Sequence, residues 1–452
     1  MPNASLLKRE TLRFLTGSPA ITLQFHLYIT STKIAVNMNL FNFLLGATLF
    51  ISALTDVLRR INFGSITSLG LITVCLAFGT WLLVFARPTL PKAVLTLSSL
   101  VLFSIVTLYS WILHYSKLNP IAVIQNLSLY FIFVGFLLLS TKQSNLGFKL
   151  PDYISNTLPK ATKLSVIFYG LTLFLGGPGT NIIMGARPFA LFATIAVAWY
   201  LAAWRYRIPQ GFKWSIITTV VVAFSFSRTA LLTMLILFPL SQISLTSIKG
   251  WLRMGLTIFM ILTISFLAFT YVEPIRSRFS EVGDNATVGG VQVNTSGRNT
   301  AWPVAYASAL ESPWIGKGPG SVGIILQKRV GPSFGHPHND YLRIFHDYGL
   351  TGLILWIFGY LVLLRRTWKH WQWADRNDRA NAHVHLAAFL ALVAVAIAMI
   401  SDNVIVYMFV MAPLGILVGA SLGSGSRRKK VIKSHRRSGI ASNNLRQLMT
   451  ES

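Results

Sequence analysis

Runs of about 20 predominantly apolar residues recur along the whole chain, and a run of that length is what a helix needs to cross the hydrocarbon core of a bilayer. Of the 452 residues, 53% are hydrophobic and only 12% charged, and the mean hydropathy is positive. A soluble core of this size has no need of so many uninterrupted apolar runs. The pattern therefore predicts an all-α polytopic membrane protein. Spans are expected near 34–56, 64–86, 93–114, 119–140, 161–180, 188–204, 213–227, 229–246, 253–272, 348–364, 383–400 and 403–422, about twelve transmembrane helices. The expected organisation is a basic N-terminal tail (1–33), nine spans (34–272), one large outer loop containing short helices (273–347), three spans (348–422) and a basic C-terminal tail (423–452). Residues 1–32 lack the form of a secretory signal, because Lys8, Arg9 and Arg13 precede only a weak apolar stretch broken by Gln24 and His26. They read as a cytoplasmic tail, with Met38 as an alternative start.

The net charge of +27 does not point to nucleic acid, because the basic residues do not form one contiguous face. They sit in short loops, where they determine topology. With both ends cytoplasmic, 28 of the 40 Lys and Arg residues fall in inner segments, and seven of the other twelve lie in the long loop, where the positive-inside rule has little force. Ser227-Arg228 must then be a turn between two short spans, since only 35 residues separate Lys213 from Lys249. A single long span there would put the basic tail outside. Residues 282–297, rich in Gly, Asn, Thr and Val, read as a flexible connector. The single cysteine, Cys75, excludes an intrachain disulfide and a cysteine metal site.

Polar chemistry concentrates at one water-facing edge. His336-Pro337-His338-Asn339-Asp340-Tyr341-Leu342 is followed by His346-Asp347-Tyr348-Gly349-Leu350-Thr351-Gly352, just ahead of an expected span. A histidine at such a boundary can deprotonate a hydroxyl, since its unperturbed pKa is near neutral. Interfacial hydrogen bonding is the plainer alternative. His336, His338, Asp340 and His346 could also supply metal ligands, but a His-x-His spacing is a weak signal and no cysteine assists it. Arg298 precedes a helix that should start close to it, because Pro303 is tolerated only in the first turn of a helix. A helix start with an added guanidinium suits a diphosphate. Arg228, between two apolar spans, needs protein, water or an anion beside it. Arg187, in Gly185-Ala186-Arg187-Pro188, lies at an outer span end, and Asp402, in Ser401-Asp402-Asn403, could orient His338, bind the acceptor or simply cap a helix. Asp340, Tyr341 and Asp347 could support the loop or contact sugar.

These motifs together resemble the signature of the O-antigen ligase and O-antigen polymerase family, bacterial membrane proteins that transfer lipid-linked glycans. The resemblance rests on His338-Asn339-Asp340-Tyr341-Leu342 with the following Gly-Leu-Thr-Gly. It rests also on Ser296-Gly297-Arg298 with Trp302 ahead of the Gly-rich turn Pro313-Trp314-Ile315-Gly316-Lys317-Gly318-Pro319-Gly320, and on Ser227-Arg228-Thr229. It is best from about Trp214 to Leu364. It implies that His338 is the catalytic base, that Arg228, Arg298 and Arg187 bind the donor's diphosphate, and that transfer needs no metal or other cofactor. The implied donor is an undecaprenyl-diphosphate-linked glycan, and the implied acceptor a lipid-A core or a second lipid-linked glycan. The site would face the periplasm from the inner membrane. The rival class is a glycolipid transporter or flippase, which would more often show related halves and midplane charges.

Overall fold

The computed structural model describes residues 44–60, 98–114, 118, 120–145, 150–243, 248–273, 276, 285–288, 291–294 and 297–425. The chain divides into a unit Met1–Ala47 and a unit Thr48–Ser452. Only 44–47 of the first are described, as helix, and all that follows concerns the second. The tail 1–33, the alternative start Met38, the expected span 64–86 with Cys75 and the basic tail beyond 425 lie outside the described residues.

The described part is helical apart from one small hairpin. In chain order the helices are α1 (48–60 within this unit), α2 (Ser98–His114), α3 (Pro120–Asn145), α4 (Leu150–Gly176), α5 (Ala186–Arg205), α6 (Gly211–Ala223), α7 (Arg228–Ser241) and α8 (Ile248–Tyr271). After the hairpin come α9 (Arg298–Leu310), α10 (Ser321–Arg329), α11 (Asp340–Asn377), α12 (Arg379–Ala398) and α13 (Met408–Gly425). Six described helices are long and apolar enough to cross a membrane: α4, α5, α8, α11, α12 and α13. The shorter apolar α2, α6 and α7 coincide with three further expected spans.

Helix α5 is the hub. Every residue from Phe189 to Ala203 is buried, so the helix is apolar all round and has no face left for lipid. Its many alanines let α12, α6 and α7 approach it, and α11 packs in turn on α12 and α2. Helix α13 lies against α3 through Gly415, Gly419 and Gly423, one residue per helical turn. A Cβ at Gly415 would sit 2.9 Å from Phe133 O, and one at Gly419 would sit 2.6 Å from Leu137 O. Small residues at this spacing let two backbones meet closely in a bilayer. Helix α8 is the opposite case. Its most apolar window buries nothing, as expected of a helix surrounded by lipid.

Several boundaries differ from expectation. Helix α11 runs 38 residues rather than 348–364, because the charged stretch after Leu364 stays helical although hydropathy ends there. It is bent at Gly349, whose φ of 66° and ψ of −173° are not helical. The chain does break between α6 and α7, where Phe226 adopts a φ of 54°. Helix α9 begins at Arg298, although Pro303 sits in its second turn. The expected connector 282–297 contains strands β1 (Asn285–Val288) and β2 (Val291–Asn294), antiparallel, with Asn285 opposite Asn294 and Val288 opposite Val291. The β-branched residues on either side of Gly289-Gly290 carried that signal, since two glycines suit the tight turn of a hairpin.

Helices α9 and α10 make a small core of their own, with Ala301, Ala305, Val322 and Leu326 buried and Phe334 and Leu342 packed against it. This core supports the segment that carries His338.

Candidate functional site

Two structural ties position His338. On one side Asn339 caps α11, its Oδ1 accepting from Leu342 N at 3.0 Å. The next residue, Asp340, donates its backbone N–H to Met399 O at 2.8 Å, and its Oδ2 accepts from Ile405 N at 2.9 Å. The start of α11 is thereby fastened to the connector between α12 and α13, which carries Ser401, Asp402 and Asn403. On the other side Trp302, on α9, donates its indole N–H to Pro337 O at 2.7 Å. His338 itself has a φ of 53°, a left-handed conformation uncommon outside glycine, though histidine adopts it more readily than most residues. Such strain persists only where the surroundings impose it.

The polar groups meet around Asp402. Arg187, in the first turn of α5, donates from Nε to both carboxylate oxygens of Asp402, at 3.1 and 3.2 Å, and its Nη2 makes a further short bond to Oδ1. The same Nη2 lies 2.6 Å from His338 Nδ1, and Asn403 Nδ2 lies 3.0 Å from that nitrogen. Asp402 also accepts from Asn403 N at 2.7 Å. The guanidinium of Arg187 lies over the Tyr407 ring, 5.7 Å from its centroid. Arg298 Nη2 donates to Ser401 O at 2.7 Å, and Ser401 Oγ is 2.8 Å from Thr229 Oγ1, next to Arg228. Burial weakens Arg298's hold on its proton; Asp402 opposes this, and the nearby charges of Arg228 and Arg187 add to it. Arg187 and Arg228 thus both sit within electrostatic reach of Arg298, as does the carboxylate of Asp402. The excess charge suits an anion with several oxygens. His338 is drawn down to about 4, first by burial and then by the Arg187 charge, with Asp402 opposing and Arg298 adding to it, so its ring is neutral at pH 7.

The other expected residues have different surroundings. Tyr341 points its hydroxyl into α12, donating to Ala396 O at 3.0 Å. Asp340 is fully buried in the tie already described. Asp347 accepts from Gly320 N at 2.8 Å and from Ser321 Oγ and Val322 N at 3.0 Å each, and so holds the Gly-rich turn against α11. His346 is buried between Ser308 and Ser321. His336 lies 3.4 Å from Arg343 Nη1. The histidines considered as metal ligands therefore have separate partners, and among the described residues no group of three or more His, Cys, Asp or Glu could hold a metal ion.

Three contributors had no readable signal in the sequence. Asn403 acts through His338, and Ser401 through Arg298 on α9 and Thr229 on α7, contacts made only when the connector folds back on these segments. Asp56, on α1, accepts from Gly185 N at 2.5 Å and from Arg60 Nε at 3.0 Å, which clips down the turn that presents Arg187. Asp56→Ala is expected to cost about 1–3 kcal/mol, the penalty for leaving a buried donor unpaired. Thermal unfolding of the purified variant in detergent checks this, and an unchanged midpoint would show that the turn holds without the clip.

No curated protein matches the chain at a significant level. Residues 214–357 match the family model described as O-antigen ligase. The matched segment contains Arg228, Arg298 and His338; outside it lie Arg187, which touches His338 in the fold, and Asp402, which holds Arg187. At the level of the family the match supports glycan transfer by a multi-pass membrane protein. Over residues 214–357, this chain is thus similar to the O-antigen ligase family.

Proposed function

We propose that the protein moves a glycan from an undecaprenyl-diphosphate carrier to an acceptor hydroxyl at the periplasmic face of a bacterial inner membrane. The observation that carries this reading is Arg187 bonded to both Asp402 and His338, with Arg298 close enough to feel the charges of Arg187, Arg228 and Asp402. A lipid diphosphate leaves readily, so the work left to the protein is to bind its negative charge and to place the hydroxyl. The resemblance gives His338 the part of base, and neither metal nor cofactor enters the reading. Attack from the face opposite the diphosphate inverts the anomeric centre. Both basic tails are taken as cytoplasmic, with 273–347 as the periplasmic loop among about twelve spans, as the distribution of Lys and Arg favours. The acceptor is a lipid-A core in a ligase or a second lipid-linked glycan in a polymerase.

His338→Ala is expected to lower transfer by about 10²–10⁴-fold, the range for loss of a group that acts on the transferred proton or the reacting oxygens. Single-turnover transfer by purified protein, with chelator present and folding checked by thermal unfolding, measures it. Wild-type activity in a folded His338→Ala protein would remove His338 from the reaction.

A further inference from the structure

The hydrogen bonds at His338 determine which ring nitrogen carries the proton. Nδ1 lies 2.6 Å from Arg187 Nη2. A guanidinium has donors and no acceptor, so Nδ1 must accept, and it does so with its lone pair. Asn403 Nδ2, 3.0 Å away, converges on the same lone pair. A neutral imidazole whose Nδ1 is bare holds its proton on Nε2. Asp402 keeps the arrangement in place, because it grips Arg187 through Nε and Nη2 and receives the backbone N–H of Asn403. A base that works through Nε2 needs the opposite tautomer, with an N–H on Nδ1, and that hydrogen would point into the guanidinium.

We propose that His338 meets the substrate as an Nε2–H donor to the carrier diphosphate, with Arg187 and Asn403 as positioning residues that fix its tautomer, and that it does not take the acceptor's proton. The proposal rests on the transfer reading above and changes the part His338 plays in it. The bond between the anomeric carbon and the diphosphate oxygen breaks, and the electron pair stays on that oxygen. Nε2–H and the arginines stabilise the charge that develops there. The acceptor oxygen forms the new bond, and its proton passes to water. The contact with Arg187 agrees with this, because it places His338 among the groups assigned to the leaving diphosphate.

Two measurements test the assignment. In wild-type protein with isotope-labelled histidine, the His338 ring, identified by its loss in His338→Gln, is expected to show a proton on Nε2 by solid-state NMR. A proton on Nδ1 would overturn the proposal whether or not the protein transfers glycan. In the transfer assay, glutamine at 338 sets an amide N–H near the place of Nε2 but is no base, so His338→Gln is expected to stay within about tenfold of wild type while His338→Ala falls much further. The groups facing His338 are Arg187, Asp402, Arg298 and His336, and together with burial they keep its ring neutral at ordinary pH. The wild-type rate should therefore be level from about pH 6 to 8, without a limb at the usual histidine pKa of about 6.5. A glutamine variant as inactive as alanine would also overturn the proposal. Absence of transfer by folded wild-type protein would instead count against the transfer reading, leaving the tautomer to be decided by NMR.

Discussion

Gly349→Ala is expected to yield little folded protein. Gly349 has a φ of 66° and a ψ of −173°, a region essentially closed to residues with a side chain. A Cβ added there would fall on Trp314 C and O and sit 2.5 Å from Ile315 N, all backbone atoms that cannot swing aside. The two segments are tied by Leu350 N donating to Pro313 O at 2.7 Å and Gly318 N donating to Asp347 O at 2.8 Å. Strain of about 1–3 kcal/mol and overpacking of similar size add up to much of a typical protein's stability. Gly316→Ala approaches the same contact from the other side, since its Cβ would meet Tyr348 N, Gly349 N and Asp347 C. Gly255→Ala on α8 is the control, with nothing within 4 Å of the added carbon. Fluorescence-detected size exclusion and thermal unfolding measure the outcome. Near-wild-type behaviour of both Gly316→Ala and Gly349→Ala would show that the Gly-rich turn does not lock onto α11 as described.

Asp402→Ala is expected to separate binding from turnover. The carboxylate is nearly buried and holds Arg187, which in turn holds His338. Its removal frees the guanidinium and loosens the imidazole, so turnover should fall by about 100-fold, as when reacting groups lose their alignment. Arg187 is 39% exposed on its side chain, so water takes over much of the lost pairing and the stability cost is only about 1 kcal/mol. Anion affinity should hold or tighten, because one negative charge has left a cluster of three guanidiniums. The expected signature is a large loss in kcat with KM for the lipid-linked donor unchanged or lower. A raised KM with normal kcat would mean that Asp402 serves substrate binding rather than alignment.

The parts of this site were legible in the sequence one at a time, and their assembly was not. Arg187, Arg228, Arg298, His338 and Asp402 stand out because charge is rare in an apolar chain and each falls at a helix end. That Arg187 reaches Asp402 across 215 residues, and His338 across 151, follows from the packing of α5 on α12 and appears in no local pattern. Asp340, Tyr341 and Asp347 looked alike as sequence and differ in the fold, where Asp347 secures the Gly-rich turn and Tyr341 turns away into α12. The break at Phe224–Ser227 was readable from charge, because only a turn there keeps the basic tail inside. The strands at 285–288 and 291–294 fall in a segment whose richness in Gly, Asn, Thr and Val suggests a connector, although the alternation beside Gly289-Gly290 favours strands. The length of α11 was hidden because hydropathy reports the membrane, not the helix.

The most direct measurement is glycan transfer by the purified protein, given an undecaprenyl-diphosphate-linked glycan and a panel of acceptors, comparing wild type with His338→Ala. The account predicts transfer by wild type to at least one acceptor hydroxyl with inversion at the anomeric carbon, and its loss in a folded His338→Ala protein. Movement of the lipid-linked glycan across a vesicle membrane, with no transfer to any acceptor, would contradict it and favour a transporter.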